Sequence, residues 1–360
     1  MLDAPDFPIL PAGLTSDFLS LKLGHEVCAF TATPIGHETG FTSGDLVRLS
    51  ITYRSGRTPG PGRLVAKFAP AEAQKRQRFA PLNRAEVAFY NQTSHKLPVP
   101  HCHFASFDPR SGASLVLISD VGLSSGPDFV QGCDPQCGAL AIDALAQVHA
   151  AYWGAPELAD IVIPDPLQGF DLREALAVYP DRVHKLLPDA PMSPRFLEIC
   201  AALTEQTETA CVFGGETGVR TLLHGDVHLD NLAFEPARAL LFDWQFVSIG
   251  NGLFDLAYFL IGSFEPPVRR RCENLLLKRY LSILEARGVT VPDKHQAIRD
   301  YTAGVSGKIL MTVLATVHFD NSRDAKRAWR AADLNRLIAF CEDHDVTPEY
   351  LVRHLAPAVS

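Results

Sequence analysis

The segment HGDVHLDN, residues 224–231, places two histidines, two aspartates and an asparagine within eight positions. Beyond it LFDWQF, residues 241–246, carries one carboxylate, Asp243, in an apolar run. TLLHGD reads as a strand running into a loop, and NLAFEPARALLFDW reads as a hairpin that returns the chain past Asn231. A loop carboxylate, an amide oxygen and a second carboxylate form a donor set suited to phosphoryl transfer. One acid orients an attacking hydroxyl and takes its proton, while hard oxygen ligands hold a divalent cation on the phosphates. Taken singly, Asp226 reads equally as a turn residue, Asn231 as a left-handed turn position and Asp243 as a solubilising strand end. Their combination carries the signal.

Upstream, EVCAFTATPI and LVRLSITYRS are β-branched, apolar runs around the turn-rich GHETGFTSGD, which predicts a hairpin. The Gly/Pro turn SGRTPGPG leads to a third strand, RLVAKFA. NRAEVAFYNQTSHKL predicts a helix with Asn83 as its N-cap, and LPVPHCHFASFD and ASLVLISDVG predict two further strands. Downstream of residues 115–123 the pattern changes. GALAIDALAQVHAAYW sets Ile142, Leu145, His149 and Tyr152 at helical spacing, and most of the remaining chain is helical. The expected architecture is α+β: a lobe of about five antiparallel strands with one helix over residues 1–120, and a larger, mainly helical lobe over 121–360.

Composition narrows the classes. A hydrophobic share of 47% with 21% charged residues is globular, and a formal net charge of −8 disfavours a nucleic-acid partner, which calls for a basic face. The one basic run, Arg269 to Arg271, reads as a solvated helix face. LFDLAYFLIG and ILMTVLATVHF fall short of the ~20 apolar residues of a membrane span and read as buried helices. No basic segment opens the N-terminus, so a cytoplasmic location is expected. The eight cysteines lack the spacing of a zinc site or a disulfide framework.

HGDVHLDN resembles the HGDxHxxN signature of the aminoglycoside phosphotransferase and choline kinase superfamily, relatives of the protein kinases, and LLFDWQFVSIGNGLFDLAYFL extends the likeness. Asp-Trp-Gln and DLAYFL are most similar to the ecdysteroid-kinase-like branch. The resemblance implies a protein-kinase-like two-lobed fold spanning roughly residues 25–265, ATP as phosphoryl donor with GTP also open, Mg2+ as the metal, and a small-molecule hydroxyl as acceptor. It implies Asp226 as catalytic base, Asn231 and Asp243 as metal ligands, and His224, His228 and Asp255 as support for the catalytic loop. LVAKFA supplies Lys67 for the phosphates, and NRAEVAFY supplies Glu86 to hold it. Read without that resemblance, the same two residues are a solvated strand-end lysine and a first-turn helix acid.

Gly36, Gly40 and Ser43 resemble a loose phosphate-covering loop, although a plain hairpin turn accounts for them equally. Ser119, Asp120 and Val121 resemble the connection whose backbone meets the nucleobase, with Ser119 where the family carries an acid. No Ala-Pro-Glu segment follows Asp243, which points away from a protein acceptor. Among small acceptors, an aminoglycoside or a choline-like amine calls for clustered acids or an aromatic cage, whereas a sterol-like, apolar alcohol calls for an apolar pocket; the branch likeness tilts toward the alcohol. The rival reading is a non-catalytic nucleotide-binding or scaffold protein. Its mark would be loss of the base, a metal ligand or the lysine, and all are present.

Overall fold

The computed structural model describes residues 5–35, 44–54, 60–93, 97–122, 126–190, 192–205, 218–319 and 321–355. The chain forms two compact units. The first comprises residues 1–123 with the short segments 162–169 and 243–246, and the second comprises the rest.

In the first unit, α1 (Ser16–Leu23) precedes β1 (Val27–Ile35), β2 (Asp45–Tyr53) and β3 (Arg63–Phe68). Two helices follow, α2 (Ala73–Arg78) and α3 (Ala80–Gln92), then β4 (Cys102–Asp108) and β5 (Ala113–Ser119). All pairings are antiparallel, in the order β1-β2-β3-β5-β4. Strand alternation decides what each face carries. Leu64, Ala66 and Phe68 of β3 join Val47, Leu49, Leu115 and Leu117 in a core closed by Leu19 of α1. Lys67, in register with Leu46 and Val116, therefore faces the other way.

The expected strands are all present, but the helical content is larger than one helix. Thr15 caps α1 by accepting from the Phe18 N–H, which starts a short helix that the sequence pattern did not announce. Asn83 is not an N-cap. Proline near the first turn lets α3 begin at Ala80, which leaves Asn83 inside the helix, 3% exposed.

In the second unit, α4 (Pro135–Tyr152) is capped by Asp134, and α5 (Leu172–Leu186) and α6 (Pro194–Glu205) follow. Next come β6 (Arg220–Leu223), the hairpin β7 (Leu232–Glu235) and β8 (Arg238–Leu241), and β9 (Ser248–Asn251), which pairs antiparallel with β6. Helices α7 (Gly252–Ser263), α8 (Pro266–Ala286), α9 (Lys294–Ala303), α10 (Val305–His318), α11 (Asp324–Asp343) and α12 (Pro348–Leu355) complete it. Every residue of α7 is buried, so this helix is the centre of the unit. Glycine makes one crossing possible: a Cβ on Gly304 would lie 2.7 Å from Ala257 Cβ and 3.0 Å from Phe254 Cα.

The basic run at the start of α8 is not a solvated face throughout. Arg269 is 1% exposed and bridges Glu273, one turn along, to Asp343 of α11, with its guanidinium over the Phe340 ring. Among the described residues no helix is long and apolar enough to cross a membrane.

Candidate active site

Within the first unit, β3, α3 and the segment 243–246 converge on one ammonium group. Lys67 Nζ lies 2.8 Å from Glu86 Oε2 and 2.7 Å from Asp243 Oδ1. Glu86 is in the middle of α3, so it is no first-turn acid, and it is buried. The same helix anchors the segment that brings Asp243. Trp244 stacks on Phe89, with centroids 3.8 Å apart and planes 7° from parallel, and Gln245 Nε2 donates to Asn83 Oδ1 at 3.0 Å. These contacts offset the cost of the left-handed backbone at Asp243, whose φ is 63°.

The charges set one another. Burial works to lower the Lys67 pKa, but the carboxylates of Asp243 and Glu86 overcome it and hold the ammonium above its ordinary value. Glu86 goes the other way. Burial pushes its carboxyl up to about 7, against the pull of Lys67 and with the repulsion of Asp243.

At the end of β5 the Ser119 N–H donates to His101 O at 2.9 Å, and Ser119 Oγ lies 3.0 Å from His103 Nε2. Burial, aided by the neighbouring His101, depresses His103 to about 4, so that ring is neutral at physiological pH. The Asp120 carboxylate is spent on structure: it accepts from Arg48 Nε at 2.9 Å and from the Gly122 N–H at 3.1 Å. Val121 follows in non-regular backbone. Gly36, Gly40 and Ser43 lie outside the described residues.

The second unit carries the HGDVHLDN motif. Strand β6 delivers His224, fully buried, whose Nε2 donates to Phe242 O at 2.9 Å and whose Nδ1 accepts the Asp226 N–H at 3.3 Å. Asp255, in the first turn of α7, accepts the N–H groups of His224 (2.6 Å) and Gly225 (3.0 Å). Gly225 has a φ of 80°, a conformation that glycine adopts without a Cβ penalty. Behind Asp255, His149 Nε2 lies 3.3 Å away and its Nδ1 lies 2.7 Å from Tyr280 Oη. The helical stripe that contained His149 thus includes a polar brace.

Asp226 is gripped from three sides. Tyr258 Oη donates to Oδ1 at 2.5 Å, His228 Nε2 stands 3.5 Å from Oδ2, and Asn231 Nδ2 donates to the Asp226 carbonyl at 2.9 Å. Burial would raise the Asp226 pKa, but His228, Tyr258 and His224 outweigh it and lower the carboxyl below its ordinary value. Burial would likewise lower His228, and Asp226 more than compensates, so the ring is held above its ordinary value. In its neutral form, with the proton on Nε2 toward Asp226, His228 also caps the turn through Asn231, its Nδ1 accepting the Asp230 N–H at 3.3 Å. Trp329 Nε1 donates to Asp230 Oδ2 at 2.9 Å and pins the loop from α11.

Two residues can offer hard oxygen ligands of the kind Mg2+ takes. In the second unit, Asn231 commits its amide nitrogen to the Asp226 carbonyl, which leaves Oδ1 as an oxygen of the kind a hard cation could take. In the first unit, the Asp243 carboxylate is one-third exposed and uses one oxygen on Lys67. The donor chemistry fits the metal. Sequence reading did not single out Tyr258, Lys308 and Asp333. Tyr258 carried a signal, since it stands three residues after Asp255 in DLAYFL, but an aromatic in an apolar helix reads as core.

The model of the phosphotransferase enzyme family matches residues 51–296. No curated protein sequence matches the chain. Among solved structures, the choline kinase from Cryptosporidium parvum Iowa II superposes with a TM-score of 0.51 at 12% identity, covering 91% of this chain and 92% of that one. A choline/ethanolamine kinase family protein from Mesorhizobium loti gives 0.46 at 16% identity, covering 95% and 98%. A thermostable mutant of an aminoglycoside phosphotransferase, in ternary complex with ADP and hygromycin B, gives 0.44 at 15% identity, covering 90% and 98%. The α+β fold is that of the protein-kinase-like small-molecule kinases. Because the family match spans more than half of its residues, the chain belongs to the phosphotransferase enzyme family, whose members act on hydroxyl groups of small molecules.

Proposed function

We propose that this chain transfers the γ-phosphoryl group of ATP, with Mg2+, to the hydroxyl of a small apolar alcohol. The observation that carries the reading is the Lys67 ammonium held between Glu86 at 2.8 Å and Asp243 at 2.7 Å, the lysine–acid pairing that a kinase-like fold needs to seat phosphates. Lys67 binds phosphate oxygens and Glu86 fixes its position. Asn231 and Asp243 hold the metal, and the backbone of Ser119, Asp120 and Val121 receives the nucleobase. Magnesium, when bound, neutralises charge on the phosphate oxygens.

Asp226 orients the acceptor hydroxyl and takes its proton. Its lowered pKa keeps the carboxylate ionised at neutral pH. A weak base suffices, because a loose phosphoryl-transfer transition state asks for positioning more than for strong proton abstraction.

The apolar acceptor is favoured by what surrounds the loop. Phe129 and Trp329 stack at 3.8 Å, and His228 sits edge-on to both. Of the acids beside these rings, Asp333 is fully buried against Lys308 and Asp230 gives one oxygen to the Trp329 indole. A polycationic acceptor would have to compete with those partners.

The test is label transfer from γ-labelled ATP across sterols, other apolar alcohols, aminoglycosides and choline-like amines, with GTP as competitor. Labelled alcohol is the expected product. Label on an amine-bearing acceptor alone would overturn the acceptor class, and full competition by GTP would overturn the ATP preference.

A further inference from the structure

Behind Asp226 the second unit holds a buried polar chain with no part in the roles assigned above. Tyr258 extends from α7, donates to Asp226 Oδ1 at 2.5 Å, and has the Lys308 ammonium 4.2 Å from its ring centroid. Lys308, on α10, is 1% exposed and lies 2.6 Å from Asp333 Oδ1, a contact whose angles make it an ion pair more than a directed hydrogen bond. Asp333, on α11 and fully buried, accepts from Thr312 Oγ1 at 2.8 Å. Gly262, one turn along α7 from Tyr258, makes room for the ammonium, since a Cβ there would lie 3.2 Å from Lys308 Nζ.

A buried ion pair is weak evidence for stability, because desolvating both charges cancels most of their attraction and an apolar pair would pack as well. Here it clamps one face of a phenol by a cation–π contact while the hydroxyl points at the carboxylate. Burial and the Asp226 charge push the Tyr258 pKa well above the ordinary phenol range, so the hydroxyl remains a donor. The other contacts to Asp226 Oδ2 are long, 3.5 Å from His228 Nε2 and 3.4 Å from Asn231 Nδ2. That oxygen retains capacity for a strong hydrogen bond.

From this geometry we infer that Tyr258 is a positioning residue for phosphoryl transfer: by occupying Oδ1 of Asp226 it presents Oδ2 to the acceptor hydroxyl, with Lys308 and Asp333 fixing the phenol from behind. The inference rests on Asp226 being the base. No proton passes through Tyr258. The acceptor proton ends on Asp226 Oδ2 as the acceptor oxygen bonds to phosphorus, the bond to the leaving ADP oxygen breaks, and the phenol keeps its own hydrogen.

The test uses the full chain in two arms. With tyrosine labelled at 13Cζ, the Tyr258 resonance among the eight tyrosines is assigned by its loss in Tyr258→Phe. It should then move in Asp226→Asn and in Lys308→Met. An unmoved resonance in Asp226→Asn would mean the phenol does not rest on the carboxylate, which overturns the inference whether or not turnover is detectable. In the second arm, labelled phosphate released from Mg·ATP to water is followed at saturating nucleotide. Assayed well below its Tm, Tyr258→Phe should lower kcat about tenfold, the size of a charge-assisted hydrogen bond, with the KM for ATP unchanged. Undiminished turnover, or a loss that appears in nucleotide affinity, would reduce Tyr258 to packing. Full turnover in Asp226→Asn would instead sink the base assignment, a result separable from failure at Tyr258 alone.

Discussion

Asp255→Asn is the sharpest test of how the loop that opens at His224 is held. The wild-type carboxylate, 2% exposed, takes two successive backbone N–H groups, His224 at 2.6 Å and Gly225 at 3.0 Å. Asparagine keeps one oxygen and replaces the other with a donor, so one N–H retains a weaker, neutral partner while the other faces an NH2 group. An orphaned buried donor costs about 1–3 kcal/mol, and exchanging a charged for a neutral acceptor costs about 1 more, for a total of about 2–4 kcal/mol. If that loss appears as local opening, the amides of His224, Gly225 and Asp226 should exchange roughly 30- to 900-fold faster, at 1.36 kcal/mol per tenfold. Hydrogen exchange resolved at these amides reads it directly. Asp255→Ala, which orphans both N–H groups, should be at least as severe. Protection within about threefold of wild type in both variants would refute the claim that this carboxylate holds the loop.

Asp226→Asn should abolish phosphoryl transfer while leaving Mg-nucleotide affinity near wild type, as judged by label transfer alongside calorimetry; retained turnover would remove Asp226 from the mechanism. Asp243→Ala should weaken nucleotide binding chiefly when Mg2+ is present, and equal losses with and without the metal would deny it a ligand role. Gly304→Ala should destabilise the chain by about 1–3 kcal/mol in urea unfolding, because its Cβ would press on Ala257 and on the Phe254 backbone. For pH, Glu86 holds a proton up to about 7 when folded against an ordinary 4.5, so between those values the unfolded chain releases a proton that the folded chain keeps. Stability from this group therefore falls as pH rises through that window. Glu86→Gln should flatten the decline between about pH 4.5 and 7, and an unchanged slope there would deny the shift.

The parts of this molecule that are legible in its sequence are those whose cause is local. Runs of β-branched and apolar residues bounded by turns announce the strands of the first unit, and strand alternation decides that Lys67 turns away from the core that Leu64 and Ala66 join. The crowded motif at 224–231 announced a polar loop, because its residue types make little sense in any regular element. Helix boundaries were less legible where a neighbour overrode propensity. Asn83 has the chemistry of a cap, yet it is buried in α3 because Gln245, 162 positions later, donates to it.

Arg269 shows the same effect with charge. Three consecutive arginines read as solvent-facing, and the partner that reverses this for Arg269, Asp343, lies 74 positions away on α11. Tyr258 is the case with consequence for chemistry. Nothing within its own helix distinguishes its hydroxyl from a core aromatic edge, and its meaning comes from Asp226, 32 positions earlier, and from Lys308 on α10. Motif reading therefore finds groups that could touch phosphate or the acceptor, since each must be a particular residue type at a particular spacing. The groups that orient them need only arrive at the right point in space, from whichever element passes there. This is why the polar chain behind Asp226 is assembled from α7, α10 and α11, and why no spacing rule applied to one segment could have collected it.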